Sequence, residues 1–288
     1  MSLGIIIPVF NRKAVTLRCL RQLYAQQTKD MEVIIVDDGS KDGTFEAISL
    51  HYPKVHIVRG TGNWWYTKSV NEGIKFAEEY LKCDKYLLLN DDVILDNNYL
   101  QTVESTLKET ANQYIIFGSV SFDSNDEKKP TFLGVKKVKH WKNKQYHYTY
   151  NNYLLALQKK LPSWESKFIP GRGMFFTQNT FQANGYLDES FPQYGSDYEY
   201  SASAITKGIQ AEICLDAVLF SLENLTGNGS PKNKPSLTQF IKSLFNKYSP
   251  TYPINDSKLI WRHGNRLLMP ISFPIIIMGK IKAYLKYR

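Results

Sequence analysis

Residues Glu32-Val33-Ile34-Ile35-Val36-Asp37-Asp38-Gly39-Ser40-Lys41-Asp42-Gly43-Thr44 run from an unbroken apolar stretch into two carboxylates, a turn, and a short helix near Thr44–Leu50. Val33–Val36 is short, β-branched and continuously apolar, the pattern of a strand buried in a parallel sheet. Asp, Gly and Ser end it because they favour turns over the ladder. Upstream, Gly4-Ile5-Ile6-Ile7-Pro8-Val9 repeats the pattern. Asn11 is then the expected N-cap of a helix whose Leu17, Leu20 and Tyr24 recur at helical spacing to about Gln27. Downstream, Val55–Val58 is a third strand, and Val70, Ile74, Ala77 and Leu81 mark one helix face. Tyr86–Leu89 is a fourth strand, stopped by Asn90-Asp91-Asp92. Strands alternating with such helices imply right-handed βαβ units, an α/β fold with a mostly parallel sheet flanked by helices.

After about residue 120 the pattern loosens. Asp123–Pro130 reads as a charged loop, Lys136–Tyr153 as a basic, aromatic hairpin or mobile flap, and Phe168–Thr177 as a strand broken by Gly171 and Gly173. Asp197–Lys207 reads as a helix, and Glu223–Ser236 is the best linker candidate.

The chain has 288 residues, 43% of them hydrophobic and 22% charged, which excludes disorder, collagen-like repeats and coiled coil. Cys19, Cys83 and Cys214 form no C-x-x-C pair, and the five histidines lack ligand spacing. A disulfide scaffold and a structural zinc site are therefore not expected, and the cysteines read as buried apolar fillers. The apolar run after Gly4 lacks the basic flank of a signal peptide, so a reducing, cytoplasmic compartment is expected. The net charge of +9 lies at one end. From Asn228 to Arg288 there are 11 Lys and Arg and one acid, Asp256, whereas the first 227 residues hold 25 bases and 26 acids. Nucleic acid is not an expected partner of so neutral a body.

In an open parallel sheet, ligands bind beyond the carboxyl ends of the strands. Asp37-Asp38 and Asn90-Asp91-Asp92 close two such strands, and Asp197 and Glu199 open the helix after Tyr194-Gly195. Each cluster alone is ordinary turn chemistry. Together, crowded carboxylates call for a cation, and oxygen ligands suit Mg²⁺ or Mn²⁺ better than zinc. There is no Walker A motif, and Gly60-Thr61-Gly62-Asn63-Trp64-Trp65 puts Trp where a dinucleotide fingerprint needs its third glycine. A diphosphate held through a metal fits better than one held by a glycine loop.

Ile5–Arg12 followed by Glu32–Thr44 resembles the opening of the family 2 glycosyltransferases of the inverting GT-A fold. Asn63–Gly73, which contains Asn71, resembles the family's next block, and Leu88-Leu89-Asn90-Asp91-Asp92 its D-x-D metal motif. Gly171–Phe176, Gly185–Glu189 and Tyr194–Glu199 resemble the blocks around the acceptor site and the E-D motif, so the likeness covers about residues 3–220. It implies sugar transfer from a nucleoside-diphosphate sugar to a glycan or lipid-linked glycan of a surface polysaccharide. Pro8, Phe10, Asn11 and Asp38 would line the nucleoside pocket, with Asp38 accepting from base or ribose. Asn71, Asn90 and Asp91 would join the donor site, Asp92 would ligate Mg²⁺ or Mn²⁺, and Asp197 would be the general base. Two positions depart from the pattern: Asn90 replaces the first Asp of D-x-D, and Ser196 the Glu of E-D, which makes Glu199 a second candidate for the base. Those departures motivate the alternative of a non-catalytic nucleotide- or carbohydrate-binding module. A sugar-phosphate nucleotidyltransferase would need a glycine-rich basic loop where Pro8-Val9-Phe10-Asn11 stands. Trp64 and Trp65 read first as core and second as stacking platforms. Arg172 suits either a phosphate or a surface ion pair.

The division expected is a catalytic domain over 1–227 and a basic helical segment over 228–288. Leu267–Gly279 is apolar but only 13 residues long and interrupted by Pro270 and Pro274, short of the roughly 20 residues that span a bilayer. With Lys280, Lys282, Lys286 and Arg288 beyond it, the segment reads as a peripheral anchor on an anionic membrane, or as a helix packed on the catalytic domain.

Overall fold

The first elements are β1 (Leu3–Val9), α1 (Lys13–Ala25), β2 (Met31–Asp37), α2 (Thr44–His51), β3 (His56–Arg59), α3 (Trp65–Glu79) and β4 (Lys85–Leu88). Next come β5 (Val93–Leu95), α4 (Tyr99–Glu109), β6 (Ile115–Asp123), β7 (Asp126–Phe132), β8 (Val135–Lys139) and β9 (Lys144–His147). Then follow α5 (Tyr150–Gln158), β10 (Ser163–Glu165), β11 (Met174–Thr177), α6 (Gln178–Asn184), α7 (Ser196–Thr206) and β12 (Gln210–Ser221). The C-terminal segment holds α8 (Leu237–Leu244), α9 (Pro253–His263) and α10 (Met269–Lys286). This computed structural model describes residues 2–26, 28, 30–222 and 235–286. Residues 223–234 of the expected linker, and with them the boundary at 227, lie outside the described residues.

The main sheet has the order β10-β12-β6-β11-β4-β1-β2-β3. β1 pairs with β2 and β4 in parallel, β2 with β3 in parallel, and β6 with β12 in parallel. β11 enters between β4 and β6 antiparallel to both, and β5, β7 and β10 also pair antiparallel, so a parallel β4-β1-β2-β3 core continues into a mixed half. Alternation along β1 serves two cores: Ile5 and Ile7 pack one face with Leu20 and Leu23, and Ile6 the other with Val70 and Ile74. Cys19, Cys83 and Cys214 are buried free thiols.

Several expectations are corrected. The N-cap of α1 is Arg12, because Asn11 sits at φ 52, in the left-handed region. Asp126–Phe132 is a strand rather than part of a loop; its exposed charges are tolerable because it pairs at the margin of β6. The Lys136–Tyr153 stretch forms the β8–β9 hairpin, joined by a 3₁₀ turn at His140–Lys142, and then α5. The prolines do not break the last segment. Pro270 lies in the first turn of α10, where the missing N–H has no partner to lose, and Pro274 is accommodated within the helix.

The basic segment packs on the body. Asn255 donates to Tyr194 O at 3.0 Å, Lys258 to Ser190 O at 2.8 Å, and Arg262 pairs with Asp188. Asp188 is held below the usual carboxylate range by Arg262 and by Ser190, against the opposing effect of burial.

Candidate active site

The carboxyl ends of β1, β2 and β4 open into a cleft of about 1410 Å³. That exceeds the roughly 300–1,000 Å³ of a typical small-molecule site, so two substrates have room. Pro8, Phe10, Asp38, Asn90, Asp91 and Asp92 line it at the sheet. Arg172, Asp197 and Tyr198 face them, and the walls come from the β8–β9 hairpin and α9.

Asp38 organises the sheet side. Its Oδ1 accepts from Gly62 N at 2.8 Å, and its Oδ2 from Trp64 N at 2.9 Å and Trp65 N at 3.0 Å. These three bonds take most of the roughly four lone-pair sites of a carboxylate, so its first task is to hold residues 60–65 as a loop. The loop sets Trp65 at φ 59 and stacks its ring on Tyr248, with centroids 4.0 Å apart. Trp64 packs against the core as expected, whereas Trp65 belongs to the cleft rim.

Arg12 occupies the acidic rim. Its guanidinium lies 3.0 Å from Asp91 Oδ1 and 3.2 Å from Asp92 Oδ2. Asp91 also accepts from the Thr16 hydroxyl at 3.0 Å. Burial pushes Asp91 up to about 6, against the pull of Arg12, and the adjacent Asp92 adds to the rise. Asp92 Oδ1 is buried without a hydrogen-bond partner among the described residues. A buried carboxylate oxygen left unpaired is costly, and a hard divalent cation would satisfy it. The donor set thus fits Mg²⁺ or Mn²⁺. Among the described residues no group of three or more acidic, His or Cys side chains converges there. Such an ion would complete its shell with phosphate oxygens and water.

Asp197 faces this rim from α7. Gly195, at φ 95, is the N-cap, which leaves the Asp197 carboxylate available to the cleft. Its Oδ2 accepts from Gly171 N at 3.2 Å and its Oδ1 from Tyr198 N at 3.0 Å. Burial raises its pKa, opposed by those N–H groups and by the Arg172 charge. A carboxylate shifted upward and still open to a cleft suits proton abstraction.

Three expected residues do not reach the cleft. Asn11 instead clips the next loop, its N–H donating to Ser40 Oγ at 2.8 Å and its Oδ1 accepting from Lys41 N at 2.8 Å. Asn71 is buried, exchanging hydrogen bonds with Leu187: Nδ2 to Leu187 O at 2.9 Å, and Leu187 N to Oδ1 at 3.0 Å. Its amide therefore serves the fold, tying α3 to the segment after α6. Glu199 lies 3.4 Å from Arg262 and 3.5 Å from His263 on α9 and is not among the residues lining the cleft. Ser196, at the position of the missing Glu, accepts from the Thr67 hydroxyl in the interior.

Arg12, Tyr66 and α9 are parts of the cleft that the sequence reading did not assign. Arg12 stood in the quoted motif, but pairing it with carboxylates 80 residues away needs the sheet order. Tyr66 is the partner of Gly171: a Cβ on Gly171 would fall 1.8 Å from its hydroxyl.

This sheet, with its acidic rim and facing carboxylate, defines a GT-A glycosyltransferase fold. The chain belongs to glycosyl transferase family 2, whose family model matches residues 4–173. Glycosyltransferase GlyG of Streptococcus pneumoniae serotype 4 is 23% identical over 128 residues, which is 43% of this chain and 41% of that protein. The chain therefore spans less than half the length of that relative. GalNAc-T7, solved with UDP, GalNAc and Mn²⁺, superposes with a TM-score of 0.64 at 14% identity, over 95% of this chain and 55% of that one. The mannosyltransferase PcManGT of Pyrobaculum calidifontis, solved with GDP-Man and Mn²⁺, gives 0.56 at 18% identity, over 99% and 75%. At these identities the likeness is one of fold.

Proposed function

We propose that the chain transfers a sugar, of the hexose type, from a nucleoside-diphosphate sugar to a hydroxyl of a glycan or lipid-linked glycan in surface polysaccharide assembly. The observation that carries this reading is the placement of Asp197 across one cleft from the Asp91–Asp92 rim. Asp197 takes the proton of the acceptor hydroxyl as its oxygen bonds to the anomeric carbon, and the bond to the diphosphate breaks. A single displacement of this kind inverts the anomeric centre. Asp92, through Oδ1, and Asp91 would hold Mg²⁺ or Mn²⁺, which when bound offsets the charge of the leaving diphosphate. Pro8, Phe10 and Asn90 line the donor side, and Asp38 acts there through the loop it holds. Complexes with UDP, GalNAc and Mn²⁺, and with GDP-mannose and Mn²⁺, in proteins of the same fold support this assignment. The exposed apolar residues of α10 fit peripheral contact with an anionic membrane, at the inner face of the cell, where a lipid-linked acceptor would be met.

The test is a transfer assay across UDP-, GDP- and dTDP-sugars with and without Mn²⁺. Metal-stimulated transfer of one sugar with inversion is expected. Nucleotide binding without turnover of any donor would instead establish the non-catalytic module.

A further inference from the structure

The β8–β9 hairpin has a charge bias of its own. From Val135 to His147 there are five lysines and no Asp or Glu. Lys136, Lys137, Lys142 and Lys144 are exposed, as is Trp141 in the turn between the strands. Lys136 lies 4.8 Å from the Tyr148 ring centroid and Lys142 4.5 Å from that of Trp141. Exposed ammonium groups interleaved with amphipathic rings suit the headgroup level of an anionic bilayer.

The hairpin is tied to α10 through Asp256, the single acid of the C-terminal segment. Asn143 donates to Asp256 Oδ1 at 3.0 Å, and Lys280 pairs with its Oδ2 at 2.7 Å. The α9–α10 connection meets the hairpin closely, since a Cβ on Gly264 would lie 2.9 Å from His140 Cβ. α10 packs on the His140–Lys142 turn while leaving Ile271, Met278, Ile281 and Leu285 exposed. Lys282 and Lys286 are exposed among them.

We infer that the β8–β9 hairpin and α10 form one docking face for an anionic phospholipid surface. This rests on the peripheral contact proposed for α10 and gives it a second, independent foot. An apolar helix face beside the lysines selects a bilayer over a nucleic acid, which would leave Ile271 and Met278 in water. Arg266–Lys286 is long and apolar enough to cross a membrane and is mostly exposed, yet it is held by the rest of the C-terminal segment and by the His140–Lys142 turn. Tyr284 stacks on Phe240 at 4.4 Å, Lys280 donates to Pro250 O at 3.2 Å, and Ser272 and Ile276 are buried. The helix therefore lies on the surface. His140, Asn143 and Lys144 also line the cleft, so docking through the hairpin brings the cleft mouth to the leaflet.

The full chain should co-sediment with phosphatidylglycerol/phosphatidylcholine vesicles, less so at high salt, and not with phosphatidylcholine alone. Each base near such a surface contributes about fivefold to binding, so K136Q/K137Q/K142Q should bind roughly 100-fold more weakly. Its transfer to a soluble acceptor should be unchanged. I271E/M278E should lose vesicle binding as well. Wild-type affinity in the lysine triple variant, equal binding to neutral vesicles, or binding to RNA but not vesicles would each overturn the inference. Resistance to alkaline carbonate extraction from membranes would overturn it too, by showing a spanning helix. Vesicle binding needs neither donor nor acceptor. Absent binding with intact transfer therefore removes the docking face alone, and intact binding without transfer removes the enzymatic reading alone.

Discussion

The main-chain N–H of Gly171 donates to Asp197 Oδ2 at 3.2 Å, joining the turn before β11 to the first turn of α7. The bond holds a partly buried carboxylate in the cleft that Asp91 and Asp92 also line. Asp197→Asn keeps the shape and removes the base. Transfer should fall roughly 10²–10⁴-fold, with donor affinity changed only a few-fold, as read by initial rates and equilibrium binding. Retention of most of the activity would sink the assignment.

The pH profile should carry the same signature. Burial raises the Asp197 pKa, and the deprotonated form is the active one. The rate should fall as pH drops through a value above the ordinary aspartate range of about 3.9. Arg172 opposes the rise, so Arg172→Gln should move the acid limb to higher pH. For stability the sign is reversed. Folding favours the protonated group, so this contribution is present below the unfolded pKa and is lost as pH rises through the folded one. An acid limb that stays in place in Arg172→Gln would show that the guanidinium does not act on this carboxyl.

Gly171 tolerates no side chain, because the Tyr66 hydroxyl stands where a Cβ would go. Gly171→Ala should lower the melting temperature and the transfer rate together. Adding Tyr66→Phe removes the nearest atom and leaves the next at 3.0 Å, so the double variant should recover part of both. If the double variant is no better than the single, the clash with the hydroxyl is not the cause.

Arg12 bridges Asp91 and Asp92. Arg12→Ala leaves two adjacent carboxylates, one of them fully buried, without their counter-charge. The metal-free protein should lose about 1–3 kcal/mol of stability. Mn²⁺ should raise the melting temperature of the variant more than that of the wild type, and EDTA should abolish the difference. Equal Mn²⁺ shifts in both proteins would mean that the guanidinium and the ion do not compete.

Asn71 and Asp38 separate fold from site. Asn71→Ala leaves the N–H and C=O of Leu187 unpaired in the interior, a loss of roughly 2–4 kcal/mol, with nucleotide affinity of the folded protein unchanged. Asp38→Asn keeps one acceptor oxygen but turns an NH2 donor toward either Gly62 N–H or the Trp64 and Trp65 N–H groups, so it should weaken nucleotide binding as well as stability. Calorimetry and denaturant melts on both variants check the contrast.

β1, β2, α3 and the acidic strand ends were legible because local pattern and tertiary role agree there. Ile5, Ile6 and Ile7 are apolar whichever face they serve. β7 was not legible: Asp126-Glu127-Lys128-Lys129-Pro130 has the composition of a turn, and only its pairing with β6 makes it a strand. For Asn71, Asn11 and Ser196 the motif positions were readable but the side-chain directions were not. Those directions are set by Leu187, Ser40 and Thr67, each distant in sequence or on another element. Arg12 was hidden for the same reason, since its partners arrive only when β4 lies beside β1.

α9 walls the cleft and is fastened to the body through Arg262, which meets Asp188 and lies 3.4 Å from Glu199. Those pairs are partly exposed, so salt weakens them. In the transfer reaction proposed above, a wall hung on such contacts would shield the anomeric carbon of a bound donor from solvent. Loosening it, by salt or by Arg262→Ala, should then shift the partition of each donor molecule from the sugar acceptor toward water. The ratio of free sugar released to sugar transferred, compared in wild type and Arg262→Ala, checks this, and an unchanged ratio would overturn it.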